Sequence, residues 1–195
     1  MAVTAFMNKG PVMMYFGQEV GEPGKGFSGF GGDDGRTTIF DYWGVPEFQK
    51  WVNGGKYDGQ ALSPDQRKLR NRYIQILQSI NAHPSLREGG FYDLHYYNRT
   101  NDYQGYSNRV YAFLRHSAME NLLIITNFSE AEESVNVKIP EDAWQKMGLT
   151  SAKISVEING SIQEIERLST IGYERESQLS LAVPPMDYLI LPLKK

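Results

Sequence analysis

Gly10-Pro11-Val12-Met13-Met14-Tyr15-Phe16-Gly17-Gln18-Glu19-Val20-Gly21 is the stretch around which the chain is organised. Five apolar residues in a row, Val12 to Phe16, stand between Gly-Pro and Gly. A short apolar run bounded by turn residues predicts a strand buried on both faces, as in a parallel sheet covered by helices. A buried helical segment is the competing reading, but the run is short for one and the flanking Gly and Pro oppose it. The stretch ends in a carboxylate and more glycine, which suits the mouth of a sheet better than its interior.

Upstream, Met1 to Lys9 reads as the last turns of a helix packed ahead of that strand. Downstream, Gly17 to Gly35 is a long loop with eight glycines, at 17, 21, 24, 26, 29, 31, 32 and 35. Gly24-Lys25-Gly26-Phe27-Ser28-Gly29 spells a phosphate-binding turn, but such a turn needs a strand before it and a helix opening from it. Here more glycine and Asp33-Asp34 come next, which start no helix and repel phosphate, so the stretch reads as a loop. Pro46 to Val52 predicts a short helix stopped by Asn53-Gly54-Gly55. A longer helix begins at Ser63, with Pro64 at its first position and Gln66 completing a capping box. Leu69, Tyr73, Ile76, Leu77 and Ile80 form its apolar stripe. It ends before His83-Pro84, because the residue ahead of proline disfavours helical geometry.

After Gly89-Gly90 the pattern changes from helical to alternating. Strands are predicted at Phe91–Tyr97, Arg109–His116 and Asn121–Phe128, the last two joined by the tight turn Ser117–Glu120. Val135, Val137 and Ile139 alternate with polar residues, as do Ile154, Val156 and Ile158, and Asn159-Gly160 is a strong hairpin signal. Asp142 to Met147 suits one or two helical turns, and Leu179–Val183 and Met186–Leu193 close the chain. Short strands at this spacing predict an antiparallel sandwich.

The Gly10–Gly21 stretch resembles the last barrel strand of the alpha-amylase family of glycoside hydrolases, which often reads Gly-x-Pro-x-x-Tyr-Tyr-Gly-x-Glu. The spacer between Gly10 and Pro11 is missing, Phe16 stands for the second Tyr, and Gln18-Glu19 closes the motif. The order of the downstream segments is also similar to that family: a Gly-rich loop, an Arg-containing segment (Arg36 to Tyr42), an amphipathic helix and an all-β tail. The resemblance implies an α+β chain: residues 1–90 as the last strand and helix of a (β/α)₈ barrel, then residues 91–195 as an antiparallel β-sandwich. A whole barrel needs at least ~200 residues, so the 195 present imply the C-terminal portion of a longer enzyme.

That enzyme would be a retaining glycoside hydrolase acting on α-glucans such as starch, with this portion completing the barrel and offering glucan-binding surface. Retaining hydrolysis needs two carboxylates about 5–5.5 Å apart. The family's catalytic carboxylates lie on earlier strands, so no catalytic residue is assigned here and this chain alone is expected to be inactive. Phe27, Phe30, Tyr42 and Trp43 would border the cleft as substrate-binding aromatics, or else pack their loop against the barrel; Trp51 and Tyr57 are further candidates. Glu19 and Arg36 are read as structural residues of the rim. Calcium belongs to the parent if to anything, and no cofactor or metal ligand is assigned. The expected partners are the α-glucan and the missing N-terminal part of the barrel. An orphan strand at residues 10–20 would also invite non-physiological self-association. A stand-alone β-sandwich module for carbohydrate or protein binding is the rival reading, and an unrelated α+β interaction domain a third.

Composition narrows the partners further. A net charge of −3 gives no reason to expect nucleic acid or an anionic membrane, and the absence of cysteine excludes disulfides. No apolar run approaches a membrane span, and the first nine residues lack the basic start and apolar core of an export signal. Such a signal would lie upstream if the parent is exported. His83, His95 and His116 show no metal-ligand spacing. Asn98-Arg99-Thr100, Asn127-Phe128-Ser129 and Asn159-Gly160-Ser161 spell glycosylation acceptors. Tyr96-Tyr97 with Tyr103 and Tyr106 form an aromatic group that reads either as a surface sugar site or as ordinary cross-strand packing.

Overall fold

The computed structural model describes residues 1–23, 45–100, 105–167 and 177–194. It divides into two compact units, one of Met1–Gly10 with Ile80–Lys195 and one of Pro11–Ser79. The second holds a one-turn 3₁₀ helix at Gln18–Val20, then α2 (Pro46–Val52) and α3 (Pro64–Ala82). The helix ahead of it, α1, covers Ala2–Met7 and belongs to the first unit.

Residues 11–15 carry no regular secondary structure, so the expected strand is not made in this chain. The reason is the one that defines a strand: its N–H and C=O groups need a neighbouring strand, and among the described residues none pairs with them. Met13 is 87 % exposed, which leaves a side chain chosen for burial in water.

The capping box of α3 forms as the sequence indicates. Gln66 N donates to Ser63 Oγ at 3.2 Å, and Ser63 N donates to Gln66 Oε1 at 3.0 Å. The same Gln66 amide also donates through Nε2 to Val20 O and to the Glu47 carboxylate. One side chain thereby fixes the start of α3, the 3₁₀ turn and α2 together. A free N–H of the first turn of α2, at Phe48, is met by Glu22 at 2.9 Å, as the positive end of a helix favours. Of the expected stripe on α3, Tyr73 and Ile76 are buried and Leu77 and Ile80 half-buried. Leu69 stays 37 % exposed.

The first unit is the β-rich one. Two short helices, α4 (Pro84–Glu88) and α5 (Leu94–Thr100), flank β1 (Gly90–Asp93). The hairpin β2 (Val110–His116) and β3 (Asn121–Asn127) comes next, then β4 (Glu133–Ile139), α6 (Glu141–Lys146), β5 (Lys153–Ile158), β6 (Ser161–Glu166), β7 (Ser177–Val183) and β8 (Tyr188–Lys194). A six-stranded antiparallel sheet in the order β1-β2-β3-β8-β5-β6 faces a two-stranded one of β4 and β7. The expected first strand over Phe91–Tyr97 is thus corrected to a strand of four residues followed by a helix. Asp93 is the cause: its Oδ1 accepts from His95 N at 2.8 Å and Tyr96 N at 3.2 Å and so caps α5.

Between the sheets lies one continuous core. Val135, Val137 and Ile139 of β4 and Leu179, Leu181 and Val183 of β7 meet Ala112, Leu114, Leu123, Ile125, Val156 and Leu191. Trp144 of α6 sits at its centre with no exposed surface, and its Nε1 donates to Ser177 Oγ at 3.1 Å. The outer face of β2 and β3 is buried as well, at Phe113, Arg115, Leu122 and Ile124. Arg115 is the unexpected member. Its guanidinium donates to the carbonyls of Ser85, Leu86 and Gly89 and to that of Met7, at 2.7–3.1 Å. It therefore ties the C-terminal ends of α1 and α4 to the sheet, where a cation is favoured by the helix dipole. Burial pulls the guanidinium's pKa below its ordinary value. Gly89 lets this junction close, since a Cβ there would lie 2.4 Å from Ser85 O and 2.7 Å from His116 O.

The β2–β3 turn reaches back to the same helix. Glu120 accepts from Ser85 N and Ser85 Oγ through one oxygen and meets His83 Nδ1 at 3.0 Å through the other. Burial pushes the Glu120 carboxyl up, but the bonds from His83 and Ser85 outweigh it and hold it below its ordinary value. A carboxylate whose folded pKa is depressed adds stability above its unfolded value of about 4.3, and that gain is lost as pH falls through the folded value. Glu120→Gln is therefore expected to flatten the loss of stability below about pH 4.5. Urea midpoints of both proteins across that range check it, and parallel curves would remove Glu120 from the acid response.

Candidate functional site

The residues expected at the barrel rim can be placed only in part. Phe27, Phe30, Arg36, Tyr42 and Trp43 lie outside the described residues, as do Asp33, Asp34 and Tyr103. Glu19 is well placed. It sits on the 3₁₀ turn between Gly17 (φ 81°) and Gly21 (φ 74°), both in the left-handed region that glycine alone adopts at little cost. The turn carries Glu19 inward: the residue is 9 % exposed. Tyr73 of α3 feels its charge. Burial raises the pKa of the Tyr73 phenol first, the negative charge of Glu19 raises it further, and a hydrogen bond with Gln18 opposes both.

One carboxylate oxygen of Glu19, Oε2, is buried and accepts no hydrogen bond among the described residues. Buried acceptors are normally satisfied, so this atom marks the place where a donor belongs. The arrangement can orient a donor. Among the described residues, the carboxylate of Glu47 is engaged by Lys50 and Gln66.

Trp51 is half-buried, and the Arg70 guanidinium lies 3.5 Å over its ring, so one flat face is already covered. Tyr57 is 58 % exposed at a left-handed φ of 53°. A shallow groove along α3 is lined by Pro64, Arg67, Lys68, Asn71, Arg72 and Gln75, with neither an aromatic face nor an acid among them.

In the β-rich unit Tyr106, one member of the aromatic group, joins a row of rings. Phe91, Phe113, Tyr111, His95 and Tyr106 succeed one another with ring centroids 5.0–5.6 Å apart and tilted planes. His95 Nδ1 lies 3.1 Å from the Tyr106 hydroxyl, which also accepts from Ala112 N at 3.0 Å. Tyr106 is half-buried, and desolvation drives its phenol pKa far up. These are packing contacts. Tyr96, by contrast, is 70 % exposed on α5.

Two of the three glycosylation triplets are corrected by burial. Asn98 is 1 % exposed and exchanges hydrogen bonds with Lys138 N and O and with Leu94 O. Asn127 is 3 % exposed, and its Nδ2 donates to Ala131, Val183 and Pro184 carbonyls. Both amides hold the sandwich together and neither is accessible in the folded chain. Alternation could not reveal this, because a buried and an exposed asparagine spell the same triplet.

Residues 101–194 match the family model described as the alpha amylase C-terminal all-beta domain. No curated protein matches the chain in sequence. Among solved structures, AmyP in complex with maltose aligns with 98 % of this chain and 33 % of its own, at TM-score 0.53 and 16 % identity. A debranching enzyme from Nostoc punctiforme aligns with 100 % and 30 %, at 0.52 and 20 %. The alpha-amylase from H. orenii aligns with 100 % and 34 %, at 0.50 and 18 %. The chain thus spans about a third of the length of these structures, and at such identities the likeness speaks for the fold. Among the described residues no helix is long and apolar enough to cross a membrane. By the match over residues 101–194 the second half of the chain belongs to the alpha amylase C-terminal all-beta domain family, and over its whole length the chain shares the fold of these structures.

Proposed function

We propose that the chain completes the catalytic barrel of a retaining glycoside hydrolase acting on α-glucans such as starch, and buttresses that barrel with its β-sandwich. In this reading residues 1–90 are the end of the barrel and residues 91–195 the C-terminal domain. The observation that carries it is the Gly10–Gly21 stretch. An apolar segment suited to a sheet interior stands without a partner strand among the described residues, Met13 is 87 % exposed, and Glu19 ends it with an unpaired buried oxygen. An edge and an orphaned acceptor side by side fit a surface that the remaining barrel covers. The maltose bound to AmyP supports an α-glucan as the class of substrate, and Phe27, Phe30, Tyr42 and Trp43 remain the residues proposed to border it, with Glu19 and Arg36 at the rim.

The stand-alone binding module is the weaker reading, since it leaves residues 10–20 without a purpose. The test compares this chain with the full-length parent on soluble starch. The chain alone is expected to release no reducing sugar, while the parent releases it with the anomeric configuration retained. A parent inactive on α-glucans, or one giving the inverted anomer, would sink the proposal.

A further inference from the structure

The sequence contains two Asn-Gly pairs, Asn53-Gly54 and Asn159-Gly160, and the fold treats them differently. Their backbones are alike: Asn53 has φ 47° and Gly54 φ 65°, Asn159 φ 51° and Gly160 φ 78°. A Cβ added at either glycine would meet nothing within 4 Å, so both have room for a ring to form. The side chains are not alike. The Asn53 carboxamide donates from Nδ2 to Asp58 Oδ1 at 2.7 Å. Asp58 is in turn held ionised by the Gln60 backbone N–H and by Asn53 itself, which keep its carboxyl below the ordinary range. Asn159 lies exposed at the tip of the β5–β6 hairpin, and no such bond restrains its amide among the described residues.

From this contrast we infer that Asn159 is a self-modifying site, converting to aspartate and isoaspartate while Asn53 is protected. The Gly160 backbone nitrogen attacks Asn159 Cγ, forming the N–Cγ bond of a five-membered succinimide. The Cγ–Nδ2 bond breaks, and ammonia leaves with the proton lost from the Gly160 nitrogen. Solvent water then adds across either imide C–N bond; opening one way gives aspartate and the other isoaspartate. The glycine matters because it has no side chain to shield its nitrogen. In Asn53 the same attack requires the carboxamide to rotate away from a charged acceptor, and charge-assisted hydrogen bonds are the strong ones.

The product has a structural consequence. Ile158 and Ser161 face each other across a two-residue loop, of the type I′ geometry that positive φ at both positions defines. Isoaspartate lengthens that loop by one backbone carbon. The strand released would be β6, which lies at the sheet edge and pairs with β5 alone. Modification would therefore loosen an edge while leaving the centre of the sandwich intact.

The test is to age the folded chain in mildly alkaline buffer and track both Asn-Gly peptides by mass spectrometry, with enzymatic methylation to count isoaspartate. Asn159 is expected to convert about tenfold faster than Asn53, or more, the factor that a modest added barrier produces. In urea the two rates should converge, and in Asp58→Ala the folded rate at Asn53 should rise toward that at Asn159. Conversion at Asn53 as fast as at Asn159 in the folded chain would overturn the proposal. So would conversion at neither site in the folded chain while the unfolded chain converts at both.

Discussion

Replacing Arg115 by methionine is expected to destabilise the β-rich unit by about 3–5 kcal/mol, a large part of the stability of an ordinary domain. Methionine can fill the space of the arginine stem but has no donor. The carbonyls of Ser85, Leu86, Gly89 and Met7 would then lose a partner together, at roughly 1–3 kcal/mol for each one that stays buried and unpaired. Lysine at the same position keeps the charge, yet its three donors leave from a single nitrogen and cannot span the same set of carbonyls. Arg115→Lys should therefore fall between the parent and Arg115→Met. Urea denaturation monitored by circular dichroism orders the three. If Arg115→Met melts with the parent, water has replaced the guanidinium and the junction is not the keystone the geometry indicates.

The second large effect is expected at Trp144. Truncation to alanine removes the largest fully buried side chain of the sandwich, and such changes cost about 3–5 kcal/mol through lost burial and the cavity left behind. Trp144→Phe keeps most of the ring volume while deleting the Nε1 bond to Ser177; its loss should exceed that of Ser177→Ala, since the phenyl also underfills the site. The same melts measure this. A Trp144→Ala protein within about 1 kcal/mol of the parent would mean that α6 collapses into the space.

Much of this architecture is legible in the sequence because its causes are local. The capping box at Ser63 and Gln66, the stop before His83-Pro84 and the Asn159-Gly160 turn are short-range signals, and each appears where the residues place it. Alternation locates β4, β5 and β7 because each has one buried face. β2 and β3 also stand where they are expected, but alternation does not show that both of their faces are covered. There Arg115, sharing a face with Tyr111 and Phe113, reads as a solvent-side residue, and only the arrival of α1 and α4 makes it interior. Leu94 to Thr100 misleads in another way. Its aromatics favour a strand, yet Asp93 two and three residues ahead of His95 N and Tyr96 N caps a helix, a signal present in the sequence and outweighed by propensity. The rim is the least legible part. Glu19 is placed by its two glycines, but among the described residues no donor meets its buried oxygen.

The Arg115 junction also sets an order of events during synthesis. The acceptor at Met7 and the donor at Arg115 are 108 residues apart, so α1 leaves the ribosome long before the group that anchors it exists. Until the rest of the sheet is made, Phe6 also lacks Tyr188, its edge-on ring neighbour. Contacts of such separation are late to form because loop closure precedes any gain from them. The tie between α1 and the sheet can therefore close only after residue 115 has been made, and a ribosome stalled before Arg115 would leave the Met7 carbonyl without this donor.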